Sequence, residues 1–190
     1  MGRRLIWLIL PGSFGVILAV SHLLKTTLAY PEHPPLAHTG GFGEPTCQQC
    51  HFDQTLNDPE GSLTLEGLPE TYTAGTWYRL TVNLRRPNMR KGGFQLAARF
   101  KTGKQAGSLR AVDERVELVQ EAFSEIQYAQ HTRAGTSLVS SDTARWTVEW
   151  MAPTTGKEVV IFNVVANAAN DDASQFGDYI YVRDFLSKAR

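Results

Sequence analysis

The sequence predicts an all-β protein folded as an antiparallel β-sandwich. Three observations carry this expectation. From Gly61 onward, apolar and polar residues alternate with period two over short runs. Turn residues separate these runs every ten positions or so, the spacing of sandwich strands. No stretch after Ala29 sustains a helical apolar period; residues 112–124, VDERVELVQEAFS, form the one ambiguous window.

The strands follow in order. Residues 62–68, SLTLEGL, alternate apolar and polar side chains. Residues 77–84 do the same, with Tyr78, Leu80, Val82 and Leu84 on one face. A third strand is expected at 93–100, a fourth at 115–119 and a fifth at 125–131. Residues 145–150 place Trp146, Val148 and Trp150 on one face. Residues 158–166, EVVIFNVVA, are nearly all apolar, which suits a central strand buried on both faces. Residues 178–185 close the fold. Turn signals lie at Leu68-Pro69-Glu70, Ala74-Gly75, Lys91-Gly92-Gly93, Thr102-Gly103 and 152–156. Trp77, Trp146 and Trp150 are expected in the core. The domain so defined spans residues 61–190.

Residues 1–29 read as an export signal. Arg3 and Arg4 precede an apolar run from Leu5 to Val20, and Thr27-Leu28-Ala29 resembles a small-x-small cleavage site. The alternative is an uncleaved membrane anchor, since Leu5 to Leu24 is long enough to cross ~30 Å of hydrocarbon. Either reading places the rest of the chain outside the cytoplasm, in the periplasm or at the cell surface.

The 190 residues carry 19 basic and 19 acidic side chains. Arg3, Arg4 and Lys25, and no acid, lie in residues 1–29, so the remainder has 16 basic against 19 acidic residues, a net of −3. That balance argues against a nucleic-acid partner. Arg85, Arg86, Arg90 and Lys91 form the one basic run, expected as a solvated hairpin tip or a steering patch for an acidic redox partner.

Residues 30–60 form a lead-in. Its first part, 30–46, holds four prolines and three glycines and suits neither helix nor central strand; residues 30–37 are expected as a loose linker. Then comes Cys47-Gln48-Gln49-Cys50-His51, which contains both cysteines of the chain. C-x-x-C-H is the attachment signal for c-type haem. Two thiols add across the two porphyrin vinyl groups, and the following imidazole becomes the proximal iron ligand. Other readings of the pair are a thioredoxin-like redox motif, which needs a βαβ context, a local disulfide, and part of a zinc site.

For the sixth iron ligand the candidate is His131, at the end of a strand, with Met89 and His38 as alternatives; methionine ligation would raise the potential. Met151 follows an apolar strand and reads as core. Asn167 to Asp172, with Asp178, offers oxygen ligands that would suit calcium, but the spacing is not that of an EF-hand and a polar turn is the expected reading.

Beyond these motifs, the order C-x-x-C-H, GSLTLEGLP at 61–69, YTAG at 72–75 and GGFQL at 92–96 resembles the bacterial Reeler-like domains. These are also called choice-of-anchor V domains and are related to the reelin N-terminal domain. Gln130-His131-Thr132, WTVEWMAP at 146–153, ANAAN at 166–170 and GDYIY at 177–181 extend the resemblance over roughly Gly40 to Tyr181. It implies an immunoglobulin-like sandwich, secreted or surface-displayed. It also implies the C-x-x-C-H just before the first strand and a His-Thr pair at His131-Thr132. The chain ends DFLSKAR, with no obvious sorting tail, so surface anchoring by that route is not expected.

The expected function is therefore an extracytoplasmic monohaem c-type cytochrome with one covalent haem c. Cys47 and Cys50 hold the haem, and His51 and His131 ligate the iron. It would exchange electrons with a partner protein and touch a membrane only if residues 1–29 stay attached. The competing readings are a non-haem extracellular binding or adhesion module with a local disulfide, and a haem sensor with an open sixth position.

Overall fold

The computed structural model describes residues 33–120, 122–155 and 158–190. The export signal or anchor expected at residues 1–29 lies outside the described residues. Ten strands follow one another: β1 Ser62–Glu66, β2 Thr71–Tyr72, β3 Trp77–Arg85, β4 Lys91–Phe100, β5 Ser108–Ala111, β6 Val116–Gln120, β7 Gln127–His131, β8 Thr143–Met151, β9 Val160–Ala169 and β10 Tyr179–Ala189. They form a four-stranded sheet in the order β1-β3-β8-β5 and a six-stranded sheet in the order β2-β10-β9-β4-β7-β6. Packed face to face, the two sheets make the all-β sandwich that the alternating pattern predicts. No helix among the described residues is long and apolar enough to cross a membrane.

All eight predicted strands are present. The ambiguous window resolves as β6, paired antiparallel with β7 from Val116↔His131 to Gln120↔Gln127. Two strands escaped the pattern. β2 has only two residues and pairs parallel with the end of β10, the one departure from antiparallel pairing among the described residues. β5 has four residues, of which only Leu109 is buried. Neither is long enough to show a period.

Between the sheets the core is apolar and aromatic. Trp146 stacks on Phe94 at 4.7 Å, and Trp150 meets Tyr72 and Phe162 edge-on at 5.5 and 4.9 Å. Each buried indole N–H has an acceptor: Trp146 donates to the Gly135 carbonyl and Trp150 to the Ala106 carbonyl, at 2.8 and 2.9 Å. Trp77 corrects the sequence reading. It is 42% exposed and lies under the Arg110 guanidinium at 4.4 Å, because it faces away from Tyr78 and the buried half of β3.

The outer face of the six-stranded sheet is also covered, but by a polar layer. On β4, Phe94, Leu96 and Ala98 point to the core while Gln95, Ala97 and Arg99 point outward, and both sets are buried. The lead-in lies on that outward set. Gln95 accepts the His38 N–H at 2.8 Å and donates to the Pro35 carbonyl and to Gln130, each at 3.0 Å. Arg99 pairs with Glu44 at 2.6 Å, and the Tyr128 hydroxyl donates to the same carboxylate at 2.6 Å. Gly41 sits where any side chain would overlap Asn163 of β9. Further on, Asn57 donates its N–H to the Ile180 carbonyl at 2.9 Å and its side chain accepts the Val182 N–H at 2.8 Å. The Pro35 carbonyl and the His38 N–H are thus bonded to the sheet, while residues 30–32 of the expected loose linker lie outside the described residues. β9 is buried on both faces, as its sequence predicts, by two chemically different partners.

The basic run is also revised. Arg86 is 6% exposed, paired with Asp58 and with Glu60, and stacked 3.4 Å from the Tyr179 ring centroid. It fastens the end of the lead-in to β10 and is not part of a solvated tip.

Candidate functional site

The Cys47–His51 motif forms a single 3-10 turn. Thr46 caps it by accepting the Gln48 N–H at 3.1 Å, and the Cys47 carbonyl accepts N–H groups from Cys50 and His51 at 3.2 and 3.0 Å. The turn brings both thiols and the following imidazole onto one short stretch of backbone, as the spacing requires. Both cysteines are free and half-buried. Burial pushes the Cys47 thiol up to about 12. A thioredoxin-like pair needs the opposite shift, toward the thiolate.

The residues after the motif are tied to the loop before β10. His51 Nδ1 lies 2.8 Å from Asp178 Oδ2, within ion-pair distance, although its angle falls outside hydrogen-bond geometry. The Phe52 and Phe176 rings meet edge-on at 5.7 Å. Asp53 accepts the Gly177 N–H at 2.9 Å. Three consecutive residues of the lead-in therefore each engage one of the three residues 176–178.

The turn forms one wall of a cavity of about 590 Å³, within the size range of cofactor sites. It lies between the lead-in and the end of the six-stranded sheet, where β4 begins and β7 and β9 end. Cys47, Cys50, His51 and His131 all line it. His131 is buried, and burial holds its imidazole below the usual histidine range. Its Nδ1 lies 3.0 Å from the Phe94 amide nitrogen and 3.2 Å from the Phe94 carbonyl oxygen. It accepts from the amide in one tautomer and donates to the carbonyl in the other; only the second leaves a lone pair on Nε2 for iron.

The alternatives separate clearly. Met89 is buried in the apolar core and does not line the cavity, because the segment after β3 folds inward beneath Ala169 and Asp142. His38 does line it, but its Nδ1 contacts the Leu36 carbonyl at 2.7 Å and its Nε2 contacts Gln49 at 3.0 Å. Met151 lies at the end of β8 on a separate, shallower depression. In the 167–178 segment, Asn170 and Asp172 bond each other and the loop backbone, the polar-turn arrangement. Among the described residues no group of three or more His, Cys, Asp or Glu side chains could hold a bare metal ion. Iron in a haem differs, since the ring supplies four ligands and the protein only the axial ones.

Two features of the site carried little sequence signal. A Cβ on Gly93 would stand 2.8 Å from His131 Cε1, and one on Gly92 would stand 2.6 Å from the Ala144 Cβ. The paired glycines read only as a turn, yet one makes room for the candidate ligand and the other for the core. Asp178 stood out only as a member of an acidic loop.

No protein-family model matches the chain, and no curated protein matches it. Among solved structures, the chain is similar to the reeler domain of human F-spondin (fragment 1), at 23% identity over 70% of this chain and 92% of that one, with a TM-score of 0.43. It is similar to the Reelin-N domain of F-spondin at 23% identity, over 74% and 94% of the two chains, with a TM-score of 0.46. It is also similar to a cohesin module of a Clostridium perfringens family 33 glycoside hydrolase at 7% identity, over 68% and 96%, with a TM-score of 0.47. The fold assignment itself stands on strand order and register: a two-sheet β-sandwich whose lead-in closes a cavity over its six-stranded sheet.

Proposed function

We propose that the protein is an extracytoplasmic c-type cytochrome that carries one covalent haem in this cavity. The observation that supports it is that both thiols of the motif, His51 and the buried His131 open onto one cavity of cofactor size. Bound there, haem supplies a one-electron ferric/ferrous couple. The chain's own part is to hold it. Cys47 and Cys50 would hold it covalently through thioether sulfurs. His51 and His131, the latter in its Nδ1–H tautomer, would hold the iron. Held by two histidines, the group would supply electron exchange with a partner protein rather than catalysis on a bound substrate. The polar layer under the lead-in keeps the motif in place against the sheet.

The test is expression of the full chain in a host that matures c-type cytochromes, followed by haem staining of a denaturing gel. A stained band for the wild type, lost in Cys47→Ser/Cys50→Ser, is expected; an unstained wild type overturns the reading. In the loaded protein, His131→Ala should convert a low-spin spectrum to high-spin. An unchanged spectrum removes His131 from the iron.

A further inference from the structure

The lead-in is coil, yet its His51 is held more firmly than a coil residue would be. Its Nδ1 stands 2.8 Å from a carboxylate oxygen of Asp178, an ion-pair contact at an angle outside hydrogen-bond geometry. The Asp178 side chain is 3% exposed, and its other oxygen accepts the Asn170 N–H at 3.0 Å, while Asn167 approaches Oδ2 at 3.4 Å. Asp178 immediately precedes β10, so its backbone is fixed by the nine-pair ladder to β9. The contacts from Phe52 and Asp53 to Phe176 and Gly177 lock the approach on both sides.

We infer that Asp178 is a positioning residue for His51: it fixes the Nδ1–H tautomer, leaves Nε2 for the ligand, and holds the potential of the site low. The last part rests on the haem reading above. A neutral imidazole has one N–H, and a carboxylate can only accept, so the proton belongs on the nitrogen facing it. A carboxylate 2.8 Å from the ring nitrogen favours the positive end of the imidazole and makes it a more basic ligand. Greater basicity favours the more positively charged, ferric state over the ferrous one. The same pair also sets the ring plane, since rotation of the imidazole would break the contact.

The test has two arms. In the full chain without haem, ¹⁵N-detected ring couplings in alkaline buffer should show His51 as the Nδ1–H tautomer. Asp178→Asn places an amide donor beside Nδ1 and should shift the balance toward Nε2–H. In the haem-loaded chain the same substitution should move the midpoint potential upward with haem content unchanged. Asn170→Ala loosens the same loop but keeps the carboxylate, and should leave both readouts at wild-type values. A wild-type His51 in the Nε2–H form, or a tautomer and potential that Asp178→Asn does not move, overturns the assignment. Should Asp178→Asn fail to fold, the wild-type tautomer decides. A wild-type chain that takes up no haem refutes the cytochrome reading, and the tautomer arm then judges Asp178 separately.

Discussion

The two faces of the six-stranded sheet are both buried, and they are buried by opposite chemistry. The inner face meets the second sheet through Phe94, Leu96, Phe162 and Val164 against Trp146 and Trp150. The outer face meets the lead-in through Gln95, Arg99 and Asn163. The first contact is held by apolar area, roughly 25 cal/mol per Å² buried, and tolerates small shifts. The second is held by directional bonds whose loss leaves buried polar atoms without partners. The comparison separates stability from placement: the inner face makes the fold, and the outer face sets where the Cys47–His51 turn sits.

Substitutions can break this comparison. The largest effect is expected inside. Trp150→Ala removes the side chain packed against Tyr72, Tyr78 and Phe162, and should cost up to about 5 kcal/mol in chemical denaturation. Lead-in and sandwich should then be lost together.

Next is Arg99→Met, which leaves the Glu44 carboxylate without its cation and should cost about 3 kcal/mol. Here protease cleavage within residues 33–60 should precede loss of the sandwich. Acid should mimic it. Burial would raise the Glu44 carboxyl, but hydrogen bonds from Arg99, Thr39 and Tyr128 outweigh that and hold it below its ordinary value. A carboxyl depressed in the folded state stabilises above its unfolded value, roughly 4.3, and this is lost as pH falls through the lower folded value. Lead-in protection should fall in that window in the wild type, and Glu44→Gln should abolish the dependence.

Gly93→Ala is expected to cost about 1–3 kcal/mol, since the new methyl meets the His131 ring and the ring must move. In the loaded protein this should appear as a mixed-spin spectrum with covalent attachment retained. The smallest effect is that of Trp77→Ala. With 42% exposure and one stacked arginine, it should change stability by less than about 1 kcal/mol. A larger loss would show that Trp77 belongs to the core after all.

The sequence made one of these faces readable. Inner residues of β3, β4, β8 and β9 announce themselves by period-two alternation, because apolar burial needs only composition and spacing. The outer face does not. Gln95 and Arg99 look like solvent-facing residues until the lead-in is laid on them, and Arg86 looked solvated for the same reason. At the candidate site, Cys47, Cys50 and His51 stand out in the sequence because the C-x-x-C-H reading depends on local spacing alone. His131 was singled out by its strand-end position and the family resemblance. Its neighbour Gly93 and the His51 partner Asp178 depend on contacts 37 residues or more away in the chain, which no local pattern encodes.

The proposed role of Cys47 and Cys50 is to hold a covalent haem. Intact-mass spectrometry of the exported full chain, purified from a host that attaches c-type haem, tests it most directly. A mass increment of one haem, with no thiol left to react with an alkylating reagent, is expected. An unmodified mass, with both thiols reactive or joined to each other, would contradict it.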